Sequence, residues 1–172
     1  ITTPIAPGDK QLTVAFTLGS NGGSAITDYQ YQIDASGSFV SIGTSGAPFT
    51  ITGLTNGTPY SIVIKAINGI GNTNSAAVSG TPATTPGAPT LDGLTVGNQQ
   101  LRVDFTAGSN GGSTITDYLY QKNSGESFVS AGTTTSPFTI TGLTNGTPYT
   151  VVIRAVNRMS VNGGAISNSV TA

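Results

Sequence analysis

The sequence has no cysteine, no histidine and no tryptophan. Without cysteine there are no disulfides and no thiolate nucleophiles, and without histidine there is neither imidazole acid–base chemistry nor an imidazole metal ligand. Charge is scarce as well: 6 basic and 7 acidic residues give a net charge of −1, and 8% of the 172 residues are charged. Such a surface cannot form the basic stripe on which nucleic-acid binding depends, so we expect no nucleic-acid partner.

Long hydrophobic runs are also missing. The longest are short, as at Ile62-Val63-Ile64, whereas a membrane-spanning helix needs about 20 apolar residues. We therefore expect no membrane span in this segment. The first residue is Ile1 rather than methionine, which predicts a processed or excised piece of a longer protein.

What the sequence has in abundance is repetition. Residues 19–24 (GSNGGS) recur at 108–113, and residues 52–60 (TGLTNGTPY) recur at 141–149, both at an offset of 89. Between residues 11 and 70, 40 of 60 positions are identical at this offset. A register kept over that length indicates a duplicated module.

A proline-rich segment separates the two copies. Residues 81–90 (TPATTPGAPT) contain three prolines among small residues, a composition that favours an extended connector over a helix. We therefore expect a first module at 1–82, a Pro/Thr-rich linker at 83–90 and a second module at 91–172.

Each copy has the pattern of an all-β fold. Apolar residues alternate with polar or small ones, which is typical of strands buried on one face. The first such row is Leu12, Val14 and Phe16, repeated at Leu101, Val103 and Phe105. About seven short runs of this kind in each copy, separated by Gly, Asn, Ser and Pro, predict a sandwich of two sheets.

One stretch of each copy resembles a known family. Leu54, followed by Tyr60 and then at alternate positions by Ile62, Ile64, Ala66 and Asn68, resembles the E–F corner and F strand of fibronectin type III domains. The second copy repeats the pattern at Leu143, Tyr149, Val151, Ile153, Ala155 and Asn157. Residues 20–29 look like the B–C region of bacterial members. The resemblance implies two tandem seven-stranded immunoglobulin-like β-sandwiches with strand order A-B-C-C′-E-F-G.

The chain departs from that family in one structural position. Phe16 and Phe105 stand where the family usually has tryptophan at the end of strand B, which reduces buried area without changing the fold expected. The Arg-Gly-Asp tripeptide is absent, so the resemblance does not imply integrin binding by that route.

Tyr60 and Tyr149 are the most specific single residues of the pattern. Their position after the E–F turn predicts a tyrosine corner, in which the hydroxyl bonds back to the main chain. The alternative is a tyrosine that stacks on a ligand. Spacing and exact repetition favour the structural role.

Asn56 and Asn145 each begin an Asn-Gly-Thr triplet. This is both a glycosylation sequon and the chemistry of a tight turn. The turn requires no host enzyme, and the sequence leaves glycosylation at these two residues open.

The F–G loop is the segment that differs most between the copies. In the second copy it is longer and contains Arg158, Met159 and Val161. Arg and Met are enriched in interface cores, so these three residues form a candidate partner-binding loop. The alternative is a tolerated insertion in a surface loop, with Met159 packed inward.

The acidic residues offer no catalytic pair. Of the seven carboxylates, Asp28 and Asp117 are the ones that occupy equivalent positions, and neither copy shows two acids placed to face each other across a cleft. We therefore expect no catalytic residues, no metal ligands and no cofactor, and the chain is predicted not to be an enzyme.

The function predicted from these features is a non-enzymatic structural, spacer or adhesive module of a larger extracellular or cell-surface protein. Two alternatives remain: a structural protein of a virion, phage or extracellular filament, and an accessory module of a secreted polysaccharide-degrading enzyme. The expected partners are a protein or polysaccharide, bound through loops or module faces, or further copies in an array or filament.

Overall fold

The computed structural model describes residues 5–44, 47–160 and 162–172. The chain divides into two compact units, Ile1–Ala83 (unit 1) and Thr84–Ala172 (unit 2). All regular secondary structure in the described ranges is β-strand. Within those ranges, no helix is long and apolar enough to cross a membrane.

Unit 1 consists of two antiparallel sheets. One has the order β1-β2-β5, and the other has the order β4-β3-β6-β7, with β8 also pairing with β6. The strands are β1 (Ala6–Gly8), β2 (Gln11–Val14), β3 (Ile26–Ile33), β4 (Ser36–Gly43), β5 (Phe49–Thr52), β6 (Tyr60–Asn68), β7 (Asn72–Asn74) and β8 (Val78–Gly80). In family terms the sheets are A-B-E and C′-C-F-G, and strand G is in two pieces.

Unit 2 repeats this arrangement. Its sheets have the orders β13-β10-β9 and β12-β11-β14-β15. The strands are β9 (Thr90–Gly97), β10 (Gln100–Thr106), β11 (Asp117–Lys122), β12 (Val129–Ser130), β13 (Phe138–Thr141), β14 (Thr150–Val156) and β15 (Val170–Thr171). The predicted all-β fold of tandem sandwiches is confirmed.

The core of each unit lies between its sheets, where the predicted alternation places it. Leu12 and Val14 are fully buried, and Leu12 lies opposite Ile51 in the β2–β5 pairing. Ile62 and Ile64 of β6 face the same core from the other sheet. Alternate positions of these strands point away from the core, so each sheet buries one face.

Phenylalanine fills the position at which the family usually has tryptophan. Phe16 and Tyr29 pack with ring centroids 5.1 Å apart, and Phe105 and Tyr118 pack at 4.4 Å. In unit 2 this tilted pair joins β10 to β11 of the other sheet, whereas in unit 1 Phe16 lies just after the end of β2. Strand B is longer in unit 2, because β9 provides partners for β10 as far as Thr106.

The proline-rich segment hydrogen-bonds to folded structure on both sides of the Ala83–Thr84 peptide. In unit 1, the Ala83 N–H donates to the Gly8 carbonyl at 3.1 Å. In unit 2, the Thr84 N–H donates to the Gly111 carbonyl at 2.8 Å, and the Gly87 N–H donates to the Ser109 carbonyl at 2.9 Å. The segment is therefore hydrogen-bonded to unit 1 up to Ala83 and to unit 2 from Thr84 onward.

Candidate functional site

The two tyrosines singled out by the sequence lie at the start of strand F in each unit. The Thr55 N–H donates to the Tyr60 hydroxyl at 3.0 Å, and the Thr144 N–H donates to the Tyr149 hydroxyl at 3.1 Å. Both rings are half-buried and pack against the core of their unit. The hydroxyl is therefore engaged with main chain five residues upstream, and it acts as an acceptor.

The asparagine of each Asn-Gly-Thr triplet ties the E–F turn to the A–B hairpin. The Asn56 Oδ1 accepts the Lys10 N–H at 2.8 Å, while its Nδ2 donates to Asp9 Oδ1 at 2.7 Å. Asn145 makes the same two bonds, to the Gln99 N–H and to Asn98 Oδ1. The side-chain amide nitrogen that a glycan would require is thus already a structural donor in both units.

Asp28 organises the C–C′ hairpin of unit 1. Its carboxylate accepts hydrogen bonds from Ser41 Oγ at 2.7 Å, from Gln30 Nε2 at 3.0 Å and from the Gly43 N–H at 3.2 Å. The Ser41 bond is the largest influence, and these donors together hold the pKa of Asp28 below its usual value because they stabilise the charged form.

The counterpart carboxylate in unit 2 has fewer donors. Asp117 keeps the serine bond, from Ser130 Oγ at 2.6 Å, but Leu119 replaces the glutamine that donates in unit 1. The Asp117 Oδ1 atom is consequently buried without a hydrogen-bond partner among the described residues.

The outward cation of strand F covers an aromatic ring in both units. Lys65 Nζ lies 3.4 Å from the centroid of the Phe39 ring, and the Arg154 guanidinium carbon lies 3.8 Å from that of Phe128. These are cation–π contacts. Each cation therefore interacts with an aromatic ring of its own unit.

One buried asparagine side chain forms hydrogen bonds that hold the F–G loop of unit 2 in place. Asn157 is 1% exposed, and its Nδ2 donates to the carbonyls of Thr84 at 2.9 Å and Asn110 at 2.8 Å. Its Oδ1 accepts the Met159 N–H at 2.9 Å. One buried side chain therefore joins the F–G loop, the B–C loop and the first residue of unit 2.

The described candidate partner-binding residues of this loop differ in their exposure. Arg158 is exposed, Met159 is half-buried, and Val161 lies outside the described residues. Further along the loop, a Cβ on Gly164 would approach the Pro86 carbonyl oxygen to 2.1 Å. This close approach restricts that position to glycine, so the inserted loop is fitted to the segment that precedes β9.

The chain matches the fibronectin type III domain twice, over residues 4–81 and 86–171. It belongs to the fibronectin type III family. The family is one of non-catalytic modules. In the described part of the chain, no three Asp or Glu side chains come together in a way that could hold a metal ion.

Three curated proteins are similar in sequence to this chain. The chain is 31% identical over 114 residues to a Kelch domain-containing protein of Saccharolobus solfataricus, covering 64% of the chain and 16% of the relative. It is 29% identical over 153 residues to a Kelch domain-containing protein of Sulfurisphaera tokodaii, covering 81% and 21%. It is 29% identical over 187 residues to Chitinase A1 of Niallia circulans, covering 99% and 26%. The chain thus spans about a sixth to a quarter of the length of these proteins.

Sequence reasoning missed the role of the asparagine that ends strand F. Asn68 makes the equivalent bonds in unit 1, donating to the Asn21 carbonyl at 2.8 Å and accepting from the Ile70 and Gly71 N–H groups. The available signal was its recurrence as Asn157 at the point where the two copies diverge. A polar residue retained there indicates a bond that both fibronectin type III units need.

Proposed function

We propose that this chain is a non-enzymatic spacer within a larger extracellular protein. Two fibronectin type III units in sequence hold the parts on either side of them apart. The longest strand of unit 1, β6, has nine residues, or a length of about 30 Å. The relatives that carry similar sequence are several times longer than this chain, which supports a role as one part of a larger protein.

One observation carries this proposal: the polar side chains that recur at the 89-residue offset bind groups of their own unit. The tyrosines, the turn asparagines, the strand-end asparagines and the outward cations all follow this rule. The pairs are Tyr60 and Tyr149, Asn56 and Asn145, Asn68 and Asn157, and Lys65 and Arg154. Their recurrence is therefore accounted for by folding, without a shared ligand.

The exposed side chains support a spacer over a sugar-binding module. Sugar rings stack on flat aromatic faces, but the large exposed hydrophobic side chains in the described ranges are all aliphatic: Leu18, Val40, Ile70, Val96, Val129 and Ile166. One face of Phe39 and one face of Phe128 are covered by the cations of strand F. The described ranges thus have no aromatic residue among their large exposed hydrophobic side chains, which supports a spacer over a module that stacks on sugar rings.

A retention assay on insoluble polysaccharides tests the spacer proposal. The purified chain is mixed with chitin and with cellulose, next to a chitin-binding protein as positive control, and the supernatant is assayed. The spacer account expects the chain to remain in solution and to release no soluble sugar. Saturable retention of the chain would contradict it.

A second candidate is an accessory module of a secreted polysaccharide-degrading enzyme. The similarity to Chitinase A1, which covers 99% of this chain, favours it. The coding sequence on both sides of this segment decides the matter, since an accessory module predicts a glycoside hydrolase domain in the same reading frame. A reading frame without a hydrolase domain would exclude this candidate and leave the spacer proposal intact.

A further inference from the structure

Two main-chain N–H groups donate to the side-chain carbonyl of Asn68 at the end of strand F in unit 1. Its Oδ1 accepts the Ile70 N–H at 2.9 Å and the Gly71 N–H at 3.0 Å. Donors placed in this way stabilise the negative charge that a carbonyl oxygen gains when a nucleophile attacks the carbonyl carbon. The Cγ atom of Asn68 is therefore activated toward addition.

The next residue supplies a nucleophile for this carbon. Gly69 follows Asn68 and is exposed, and its N–H has no hydrogen-bond partner among the described residues. Attack by this nitrogen on Cγ closes a succinimide ring within the chain, so no second molecule has to be brought into position. Glycine also has no side chain to obstruct the approach.

The sequence contains five other Asn-Gly pairs, and two of them lie in the B–C loops. At Asn21 and Asn110, Oδ1 accepts one N–H, from the second residue onward. The nitrogen that would attack belongs to Gly22 or Gly111, and its N–H already donates to a serine hydroxyl. Both the activation and the free nucleophile are thus weaker in the B–C loops.

The remaining three pairs also lack the combination found at Asn68. The Oδ1 atoms of Asn56 and Asn145 each accept one N–H, from the A–B hairpin. The Gly163 N–H, which follows Asn162, donates to the Ser160 carbonyl at 3.1 Å. In the described ranges, only the pair at 68–69 has two donors on the asparagine Oδ1 and an unpaired N–H on the glycine.

The equivalent asparagine of unit 2 provides an internal contrast. Asn157 also accepts a main-chain N–H on its Oδ1, from Met159. It is followed by Arg158 rather than glycine, and it is 1% exposed. The arginine side chain obstructs the nitrogen beside it and burial excludes water, so Asn157 should stay intact.

We propose that Asn68 is a self-modification site, at which the Gly69 nitrogen attacks Cγ of Asn68 and ammonia leaves. The N–Cγ bond forms, the Cγ–Nδ2 bond breaks, and the proton released from the Gly69 nitrogen leaves with ammonia. Water then opens the ring at either of its carbonyls, which gives aspartate or isoaspartate at position 68. This inference does not depend on the spacer proposal.

The product cannot hold the two loops of unit 1 together as Asn68 does. The Nδ2 of Asn68 donates to the Asn21 carbonyl at 2.8 Å, and a carboxylate has no donor to replace it. The reaction also adds one negative charge to a chain of net charge −1. Modification therefore releases the F–G loop from the B–C loop as the protein ages.

Peptide mass spectrometry of the incubated chain tests the proposal. The folded chain is kept in mildly alkaline buffer, then denatured and digested with trypsin. Cleavage after Lys65 and Arg102 gives peptide 66–102, in which Asn68-Gly69 is the one Asn-Gly pair, while peptides 103–122 and 123–154 each contain one other. We expect Asn68 to be converted at least about fivefold faster than Asn110 or Asn145. In urea the three rates should be similar, because each asparagine precedes glycine.

Gly69→Ala is the matched control, since a Cβ at this position meets only the Ser24 hydroxyl, at 3.5 Å, and the fold accepts it. The added methyl group obstructs the nitrogen, so conversion of Asn68 should fall at least about tenfold while that of Asn110 stays unchanged. Three results would overturn the proposal. These are equal conversion of Asn68 and Asn110 in the folded chain, undiminished conversion of Asn68 in the variant, and a product without isoaspartate, because water attacking Cγ directly yields aspartate alone.

Discussion

In unit 1, Gly22 of the B–C loop faces open space, whereas in unit 2 its counterpart Gly111 lies beneath the Thr84 carbonyl oxygen. The two loops have the same sequence and the same internal hydrogen bond, in which the glycine N–H donates to the hydroxyl of Ser20 or Ser109. The loop sequence thus determines the loop conformation in both units. The neighbouring residues determine how much a substitution in the loop destabilises the unit.

The largest expected difference follows from that pair of glycines. Both have positive φ, 63° at Gly22 and 67° at Gly111, so Gly22→Ala should cost about 1–2 kcal/mol from backbone strain. A Cβ on Gly111 would also lie 2.3 Å from the Thr84 oxygen, so Gly111→Ala should cost about 3 kcal/mol or more once this overlap is added. Urea unfolding of each variant measures both losses in stability. Equal losses would show that the Thr84 carbonyl oxygen does not clash with a side chain at position 111.

The strand-end asparagines sharpen the same comparison. Asn157→Ala removes donors from the Thr84 and Asn110 carbonyls at a site that is 1% exposed, which should cost about 2–3 kcal/mol. Asn68→Ala acts at a half-buried site, where water can replace part of the loss, and should cost about 1–2 kcal/mol. Denaturant melts of both variants check the order, and a larger cost at Asn68 would contradict it.

The tyrosine corners should behave alike in the two units. Tyr60→Phe and Tyr149→Phe each leave one threonine N–H without its acceptor, and both threonines are exposed. We expect a loss of about 0.5–1.5 kcal/mol in each case. Chemical denaturation measures this loss in the free energy of unfolding. A loss of zero in both units would show that the tyrosine hydroxyl does not stabilise the E–F turn.

The sequence predicts those features of the fold that depend on residues close together in the chain, namely the strands and the turns. Alternation located the strands, and the resemblance carried by Leu54, Tyr60 and Asn68 implied strand F and the turn before it. The bond from Asn157 to the Thr84 carbonyl joins residues 73 positions apart. No local pattern predicts such a contact, because it exists only after the sheets have brought both segments to the same end.

The smallest expected effect concerns acid. The pKa of Asp28 is lowered in the folded chain, first by the Ser41 hydroxyl, so its contribution to stability is present above the ordinary aspartate pKa and is lost as the pH falls through the lowered value. Asp28→Asn should therefore flatten the acid side of the stability–pH curve of unit 1. Thermal melts from pH 6 downward compare the two proteins, and parallel curves would contradict the assignment.

The central claim is that the side chains shared by the two copies serve the folding of each unit, and the Asn56→Ala and Asn145→Ala variants test it most directly. Each substitution removes the bond to the A–B hairpin, from the Lys10 or Gln99 N–H. Urea unfolding followed through resolved amide signals of each unit should show a loss of about 1–2 kcal/mol in the unit that carries the change. Unfolding curves identical to those of the unaltered chain in both variants would contradict the claim.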